Sequence, residues 1–154
     1  MPPRSFGDSL QPRPQVIDRK TGPFRACRFI RNLVERGRLV LVTKGDLLHQ
    51  QAKLAASGLG DLFSGIEIVS EKQQETFEVI FDRYSVDPLN ALMAGDSMRS
   101  DILPALEAGA WAAYIPQPLG WSHEQRPAPS DHPRFIELPS LASLVHWLDR
   151  AEAA

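Results

Sequence analysis

Short, mostly apolar runs that alternate with amphipathic segments restrict the fold of this chain more than any other feature. The runs cover residues 39–42, 66–69, 91–94 and 111–115, and apolar residues recur at helical spacing between them. Such runs are typical of strands that are covered on both faces, as in parallel sheets. We therefore predict an α/β fold, with a three-layer, mostly parallel, Rossmann-like sheet and helices on both faces.

Capping and turn residues delimit the predicted helices. Asp46 is a typical N-terminal cap for the second helix and Gly58 a typical stop, with Leu47 and Leu48 among its apolar residues at helical spacing. Ser140 is expected to cap the last helix. The predicted helices cover about 24–36, 46–58, 73–84, 100–108 and the stretch after 140, and a short strand covers 135–136.

Composition places the chain among single-domain globular proteins without a membrane segment. It has 154 residues, 43% of them hydrophobic, and no apolar run approaches the ~20 residues that a membrane span needs. The single cysteine excludes an intrachain disulfide and fits a reducing compartment. Because no signal peptide opens the sequence, we expect a cytoplasmic protein without a membrane partner.

Positive charge is concentrated at the start of the chain. Residues 1–38 carry nine Arg or Lys against three acidic residues, whereas the remainder carries eight against sixteen. We interpret residues 1–23 as a basic, proline-rich, partly disordered N-terminal arm and residues 24–154 as the α/β core. The formal net charge of −2 argues against a specific nucleic-acid partner.

The segment from Gly95 to Asp101 is the first candidate for chemistry, because sites in parallel sheets lie at the carboxyl ends of strands. Gly95 lets the backbone turn sharply after the strand, so that Asp96 faces the sheet edge, and Asp101 follows in the next helical turn. Two carboxylates near one point suit Mg²⁺. A turn aspartate and a helix-start acid are the structural alternative.

Two further strand ends carry groups that can bind an anion. Thr43, Lys44 and Gly45 combine a hydroxyl with backbone N–H groups in front of a helix. Lys72 lies at the start of a helix, where a cation is unfavourable unless it has another use, such as neutralising a phosphoryl group. Each feature alone is common, so the interpretation depends on their combination.

Thr43, Lys72 and the segment Gly95-Asp96-Ser97-x-x-x-Asp101, in this order on successive α/β units, resemble the second, third and fourth motifs of the haloacid dehalogenase superfamily of hydrolases. The resemblance extends from about residue 24 to about residue 118. Most members are Mg²⁺-dependent phosphatases that work through an aspartyl-phosphate intermediate. The resemblance therefore implies hydrolysis of a small phosphorylated metabolite.

The resemblance also implies how a phosphoryl group would be held. Thr43 would hydrogen-bond its oxygens, assisted by the N–H groups of Lys44 and Gly45, and Ser97 would be a further substrate contact. Lys72 would balance the charge between the nucleophile and the phosphoryl group.

For the metal, the resemblance implies that Asp96 ligates Mg²⁺ and that Asp101 ligates it directly or orients a ligating water. The family's first motif, Asp-x-Asp-x-Thr/Val, is absent. Its nearest approach has Asp18 in place of the nucleophile and Lys20 in place of the acid/base. We expect little or no activity unless Asp18 serves or another chain supplies the nucleophile.

The missing motif also leaves a structural question, because in the family its strand lies mid-sheet, between the strands that carry Thr43 and Asp96. Three segments could fill this position: residues 14–18 as a degenerate strand, a segment swapped from a second chain in a homodimer, or chain beyond this sequence. The family's cap domain has no counterpart between Asp18 and residue 24.

Other functions are weighed against the hydrolase. The main alternative is a non-catalytic relative that binds phosphate, Mg²⁺ or a protein partner. Ser97 has no partner histidine for a serine hydrolase, and His49 and His146 lack the spacing of a zinc site. A response-regulator receiver would need its acidic residues at earlier strand ends. The loop residues 121–124 could contact substrate.

Overall fold

A parallel sheet organises the protein, whose computed structural model describes residues 14–17, 23–117 and 125–153. The six strands follow the order β3-β2-β1-β4-β5-β6, and each neighbouring pair is parallel. The predicted fold class is confirmed. The strands are β1 (Pro14–Ile17), β2 (Arg38–Lys44), β3 (Gly65–Val69), β4 (Leu92–Gly95), β5 (Trp111–Tyr114) and β6 (Phe135–Glu137).

Helices cover both faces of the sheet. In chain order they are α1 (Pro23–Val34), α2 (Leu47–Ser57), α3 (Gln74–Arg83), α4 (Leu103–Glu107) and α5 (Leu141–Ala153). Alternate residues of the strands point to opposite layers. Leu39 of β2 packs with α1 and α5, whereas Val40 and Val42 pack with α3 and α4. Buried apolar clusters therefore lie on both faces of the sheet, as the apolar runs predict.

Predicted caps hold the ends of α2 and α5. The Asp46 carboxylate accepts a hydrogen bond from the N–H of His49, and Gly58 ends α2 with a left-handed φ of 66°. The Ser140 hydroxyl accepts from the N–H of Ser143. These short-range contacts depend only on neighbouring residues, which is why the sequence predicts them.

The central position of the sheet is filled by β1, within the segment predicted as an arm. Val16 of β1 pairs with Val40 of β2 on one side and with Met93 of β4 on the other. Of the three expected fillers, the degenerate strand is the one observed. The order of the sheet reverses between β1 and β4, and such switch points in α/β sheets open a crevice at the carboxyl edge.

One local expectation is wrong, and one predicted helix start shifts by two residues. Leu47 and Leu48, expected on the apolar side of α2, are 55% and 75% exposed, because α2 packs mainly on the short turn Gly60–Leu62. The helix predicted from about residue 100 begins earlier, with a π-helical turn, Met98–Ile102, that leads into α4. Among the described residues, no helix is both long and apolar enough to span a membrane.

Candidate functional site

A buried ion pair joins the loop before α3 to the π-helical turn after β4. Nζ of Lys72 donates a hydrogen bond to Oδ1 of Asp101 at 2.8 Å, and the two side chains are 2% and 0% exposed. Sequence reasoning singled out both residues and placed them at one edge of the sheet. The structure brings them into direct contact.

The π-helical turn positions the Asp101 carboxylate through Ser97. The N–H of Ser97 donates to Oδ2 of Asp101 at 3.0 Å, and the Ser97 carbonyl accepts from the N–H groups of Asp101 and Ile102. The Ser97 hydroxyl accepts from the N–H of Ser100 at 3.0 Å. Wide turns of this kind are frequent at functional sites. Ser97 thus organises the turn, while its predicted contact with substrate stays a prediction.

Gly95 is required by close packing against the same carboxylate. A Cβ at this position would lie 2.3 Å from Oδ2 of Asp101, far inside van der Waals contact. The missing side chain therefore leaves the space in which the Asp101 carboxylate lies. The sequence predicts a glycine here for the sharp turn, and the structure adds this second reason.

Asp96 follows β4 directly and lies beside the switch point between β1 and β4. Its side chain is partly exposed, in contrast to that of Asp101. Tyr114, which pairs with Gly95 at the end of β5, is its neighbour across the edge. Burial raises the pKa of the Tyr114 phenol, and the carboxylates of Glu137 and Asp96 raise it further. The phenol is therefore neutral at physiological pH.

The loop after β2 is held by hydrogen bonds on both sides. Gln50 of α2 donates to the Lys44 carbonyl at 3.1 Å, and the Gly45 N–H donates to the Val69 carbonyl of β3 at 3.2 Å. The Gly45 N–H, predicted to assist phosphoryl binding, is thus engaged in the sheet. Thr43 lies half-buried at the same edge. Its hydroxyl remains the main group of this loop predicted to bind an anion.

Two carboxylates at this edge of the sheet, those of Asp96 and Asp101, are the candidate ligands for Mg²⁺. Each oxygen of Asp101 accepts a hydrogen bond in the interior and has a second lone pair, so the carboxylate is held in one orientation in which it could still ligate a metal ion or orient a ligating water. Asp96 offers a partly exposed carboxylate, and Mg²⁺ commonly takes one or two protein carboxylates together with water. Within the described ranges, no group of three or more His, Cys, Asp or Glu side chains forms a ready metal site.

Sequence reasoning missed two residues of this edge. Tyr114 is the last residue of β5, whereas the predicted strand continues to residue 115, so the rule that selects Asp96 would have selected Tyr114 only with the strand end placed one residue earlier. Glu71 lies next to Lys72 and contacts Lys44, which only the pairing of β2 with β3 makes evident. The candidate nucleophile Asp18, its neighbour Lys20 and the loop 121–124 lie outside the described residues.

Comparisons with known proteins bear on the family and the fold of the chain. A model of the family described as haloacid dehalogenase-like hydrolase matches residues 24–109, a range that contains Thr43, Lys72, Asp96 and Asp101. No curated protein matches the chain.

Solved structures with similar folds come from several organisms. A haloacid dehalogenase-like family hydrolase from Xanthomonas campestris is 32% identical, with a TM-score of 0.73 over 83% of this chain and 54% of its own. The HAD-hydrolase YfnB from Bacillus subtilis, bound to magnesium, is 26% identical, with a TM-score of 0.68 over 80% and 54%. A HAD phosphatase from Thermococcus onnurineus is 24% identical, with a TM-score of 0.65 over 79% and 55%. The present chain spans about half the length of each.

Proposed function

Because the chain belongs to the haloacid dehalogenase-like hydrolases, we propose that it is a phosphohydrolase scaffold that binds a small phosphate monoester together with Mg²⁺. The observation that carries the proposal is the buried Lys72–Asp101 pair beside Asp96 at the switch point of the sheet. A buried cation held in one position at this edge is suited to a phosphoryl group, which carries negative charge.

The chain's own residues would divide the work of binding. An ammonium has three N–H donors, so Lys72 can bind Asp101 and a phosphoryl oxygen together. Thr43 would donate its hydroxyl to a second phosphoryl oxygen. Asp96 would hold Mg²⁺, and Asp101, whose carboxylate is fixed by Lys72 and Ser97, would ligate it directly or orient a ligating water. When bound, the metal supplies positive charge that offsets the charge of the transferring group.

Turnover depends on the nucleophile. By the family's chemistry, a carboxylate oxygen of Asp18 would bond to phosphorus while the ester oxygen leaves, and water would then hydrolyse the aspartyl phosphate. The leaving alkoxide needs a proton, and Lys20 stands where the family has a carboxylic acid. A lysine, protonated at neutral pH, is a poor match for a group that must both give and take the proton. We therefore propose weak or absent turnover.

The second candidate is a non-catalytic phosphate- or Mg²⁺-binding relative, which the missing Asp-x-Asp motif favours. Such a protein would keep Lys72, Asp96 and Asp101 for binding alone. It would not depend on Asp18.

Hydrolysis of p-nitrophenyl phosphate, with and without Mg²⁺, separates these functions. Slow Mg²⁺-dependent turnover that Asp18→Asn and Asp96→Asn abolish would support the enzyme. Binding of Mg²⁺ or orthophosphate in calorimetry, weakened by Asp96→Asn and without turnover at high protein concentration, would support the binding relative. Asp82→Asn, on the exposed side of α3, is the matched control. If the protein shows no turnover and binds neither Mg²⁺ nor orthophosphate, both candidate functions are overturned.

A further inference from the structure

A glutamine of α2 folds back onto the loop that follows β2. Nε2 of Gln50 donates a hydrogen bond to the Lys44 carbonyl at 3.1 Å. A Cβ at Gly45 would lie 2.9 Å from the same nitrogen, so the Gln50 amide packs directly on this glycine. Gln50 therefore contacts the backbone of the loop at two consecutive residues.

The direction of the Lys44 carbonyl follows from the peptide that joins Lys44 to Gly45. In a planar trans peptide, the C=O and the N–H point in opposite directions. The Gly45 N–H donates to the Val69 carbonyl of β3, and β2 lies between β3 and β1. The Lys44 carbonyl therefore points away from β3, to the side of β1, and β1 borders the switch point of the sheet.

A carbonyl with this direction is unfavourable near a phosphoryl group. Its oxygen carries partial negative charge, and the proposed function places a negatively charged phosphate at this edge, beside Thr43. An uncovered Lys44 carbonyl would have to lose its hydration next to this anion, or it would repel the anion. Gln50 removes the conflict, because its N–H supplies the hydrogen bond that the carbonyl would otherwise take from water.

The first turn of α2 fixes Gln50 in this position. The backbone N–H of Gln50 donates to the carbonyl of Asp46 at 3.0 Å, and Asp46 is the N-terminal cap of the helix. Gln50 is half-buried against the loop, whereas the next residue, Gln51, is exposed. Two glutamines that are neighbours in sequence thus differ in their contact with the loop.

We propose that Gln50 is a positioning residue for phosphoryl binding, which covers the Lys44 carbonyl so that an anion meets the Thr43 hydroxyl rather than a carbonyl oxygen. The proposal rests on the proposed function and adds a residue of α2 to the groups that serve it. Gln50 acts through the loop and not through the metal. Its loss should therefore weaken binding of the anion and leave binding of Mg²⁺ unchanged.

Calorimetry of the full chain with orthophosphate in the presence of Mg²⁺, and with Mg²⁺ alone, tests the proposal. Gln50→Met keeps the length of the side chain and removes the donor. Orthophosphate should then bind about fivefold more weakly, the value of one neutral hydrogen bond, while Mg²⁺ should bind with the wild-type affinity. Gln50→Glu should weaken orthophosphate binding further, because a carboxylate adds negative charge beside the same carbonyl.

Gln51 provides the matched controls on the same helix. Gln51→Met and Gln51→Glu, at the exposed position, should bind orthophosphate as the wild type does. Gln50→Lys keeps an N–H donor and should retain orthophosphate binding, and Gln51→Lys measures the effect of the added positive charge alone. Retention in Gln50→Lys, compared with loss in Gln50→Met, assigns the effect to the donor rather than to the packing of the side chain.

The outcomes separate this inference from the proposed function. Wild-type orthophosphate affinity in Gln50→Met, or an equal weakening of orthophosphate and Mg²⁺ binding, would overturn the inference and leave the proposed function in place. If Gln50→Met does not fold, the isosteric Gln50→Glu decides, and an affinity equal to that of Gln51→Glu would overturn the inference. Absence of orthophosphate binding in the wild type would also overturn it. If Mg²⁺ binding and turnover were absent as well, the proposed function would fail with it.

Discussion

The buried Lys72–Asp101 ion pair carries a large desolvation cost, which the surrounding structure has to offset. Taking an ammonium and a carboxylate out of water costs several kcal/mol per ion, and the cost is offset only by close approach and further hydrogen bonds. The 2.8 Å contact and the Ser97 N–H on the second carboxylate oxygen provide both. The pair thus keeps a cation fixed at the sheet edge.

Asp101→Asn is expected to lower the free energy of unfolding by about 3–5 kcal/mol, because it removes the negative charge that the buried Lys72 ammonium contacts at 2.8 Å. Urea denaturation at neutral pH measures this loss. The exposed variant Asp82→Asn is the control, and a Lys72→Met/Asp101→Asn double variant should recover part of the stability, since no buried charge remains and the Asn side-chain oxygen can still accept from the Ser97 N–H. A loss for Asp101→Asn as small as that of Asp82→Asn would contradict the expectation.

How far single site residues can be predicted depends on whether their signal is local. The position of Thr43 and Asp96 at the carboxyl edge of the sheet could be predicted, because each stands at the end of an apolar run, whereas their roles stay predictions. The contact of Glu71 with Lys44 could not, because it arises from the pairing of β2 with β3. The engagement of the Gly45 N–H with Val69 has the same cause.

Among the helices and strands, β1 and α2 have features that local sequence patterns do not predict. Only Val16 and Ile17 are apolar in β1, yet hydrogen bonding to β2 and β4 makes it the central strand. Neighbouring strands commonly override local preference in this way. For α2, the helical period predicts that Leu48 and Ala52 share a face. It does not predict that this face meets solvent rather than the core.

At the level of single elements, the hydrogen bonds of the π-helical turn lead us to predict how its stability depends on Ser97. Ser97→Ala removes the acceptor of the buried Ser100 N–H and is expected to lower the free energy of unfolding by about 1–3 kcal/mol. Ser140→Ala, the equivalent change at the half-exposed cap of α5, is expected to cost about 1 kcal/mol. Ser97→Thr keeps a hydroxyl acceptor and should therefore retain most of the stability that Ser97→Ala loses. Equal urea-denaturation results for the two alanine variants would contradict the role of burial.

At the scale of the whole molecule, the two tyrosines of the chain link stability to alkaline pH. Burial raises the pKa of Tyr84 and of Tyr114 from the ordinary value of 10.0. The unfolded chain therefore loses these phenolic protons at lower pH than the folded protein does. The stabilising contribution is complete below pH 10.0 and is lost as the pH rises through the folded-state pKa values.

We therefore expect the melting temperature to fall as the pH rises above 10.0. A Tyr84→Phe/Tyr114→Phe double variant should show a shallower fall, because it lacks both groups. Thermal denaturation at a series of pH values, with phenolate absorbance as the titration signal, measures the effect. The same slope in the wild type and in the double variant would show that the tyrosines do not cause it.

The central position of β1 has a consequence for the time at which the sheet can close. Val16 pairs with Val40, which follows soon along the chain, and with Met93, which follows much later. During synthesis, β1, β2 and β3 are therefore all available before β4 exists. Until β4 is added, the strand that ends up in the middle of the sheet is an open edge with unpaired N–H and C=O groups. The same strand that joins the two halves of the finished sheet is thus, in the nascent chain, the place where pairing with another chain would begin.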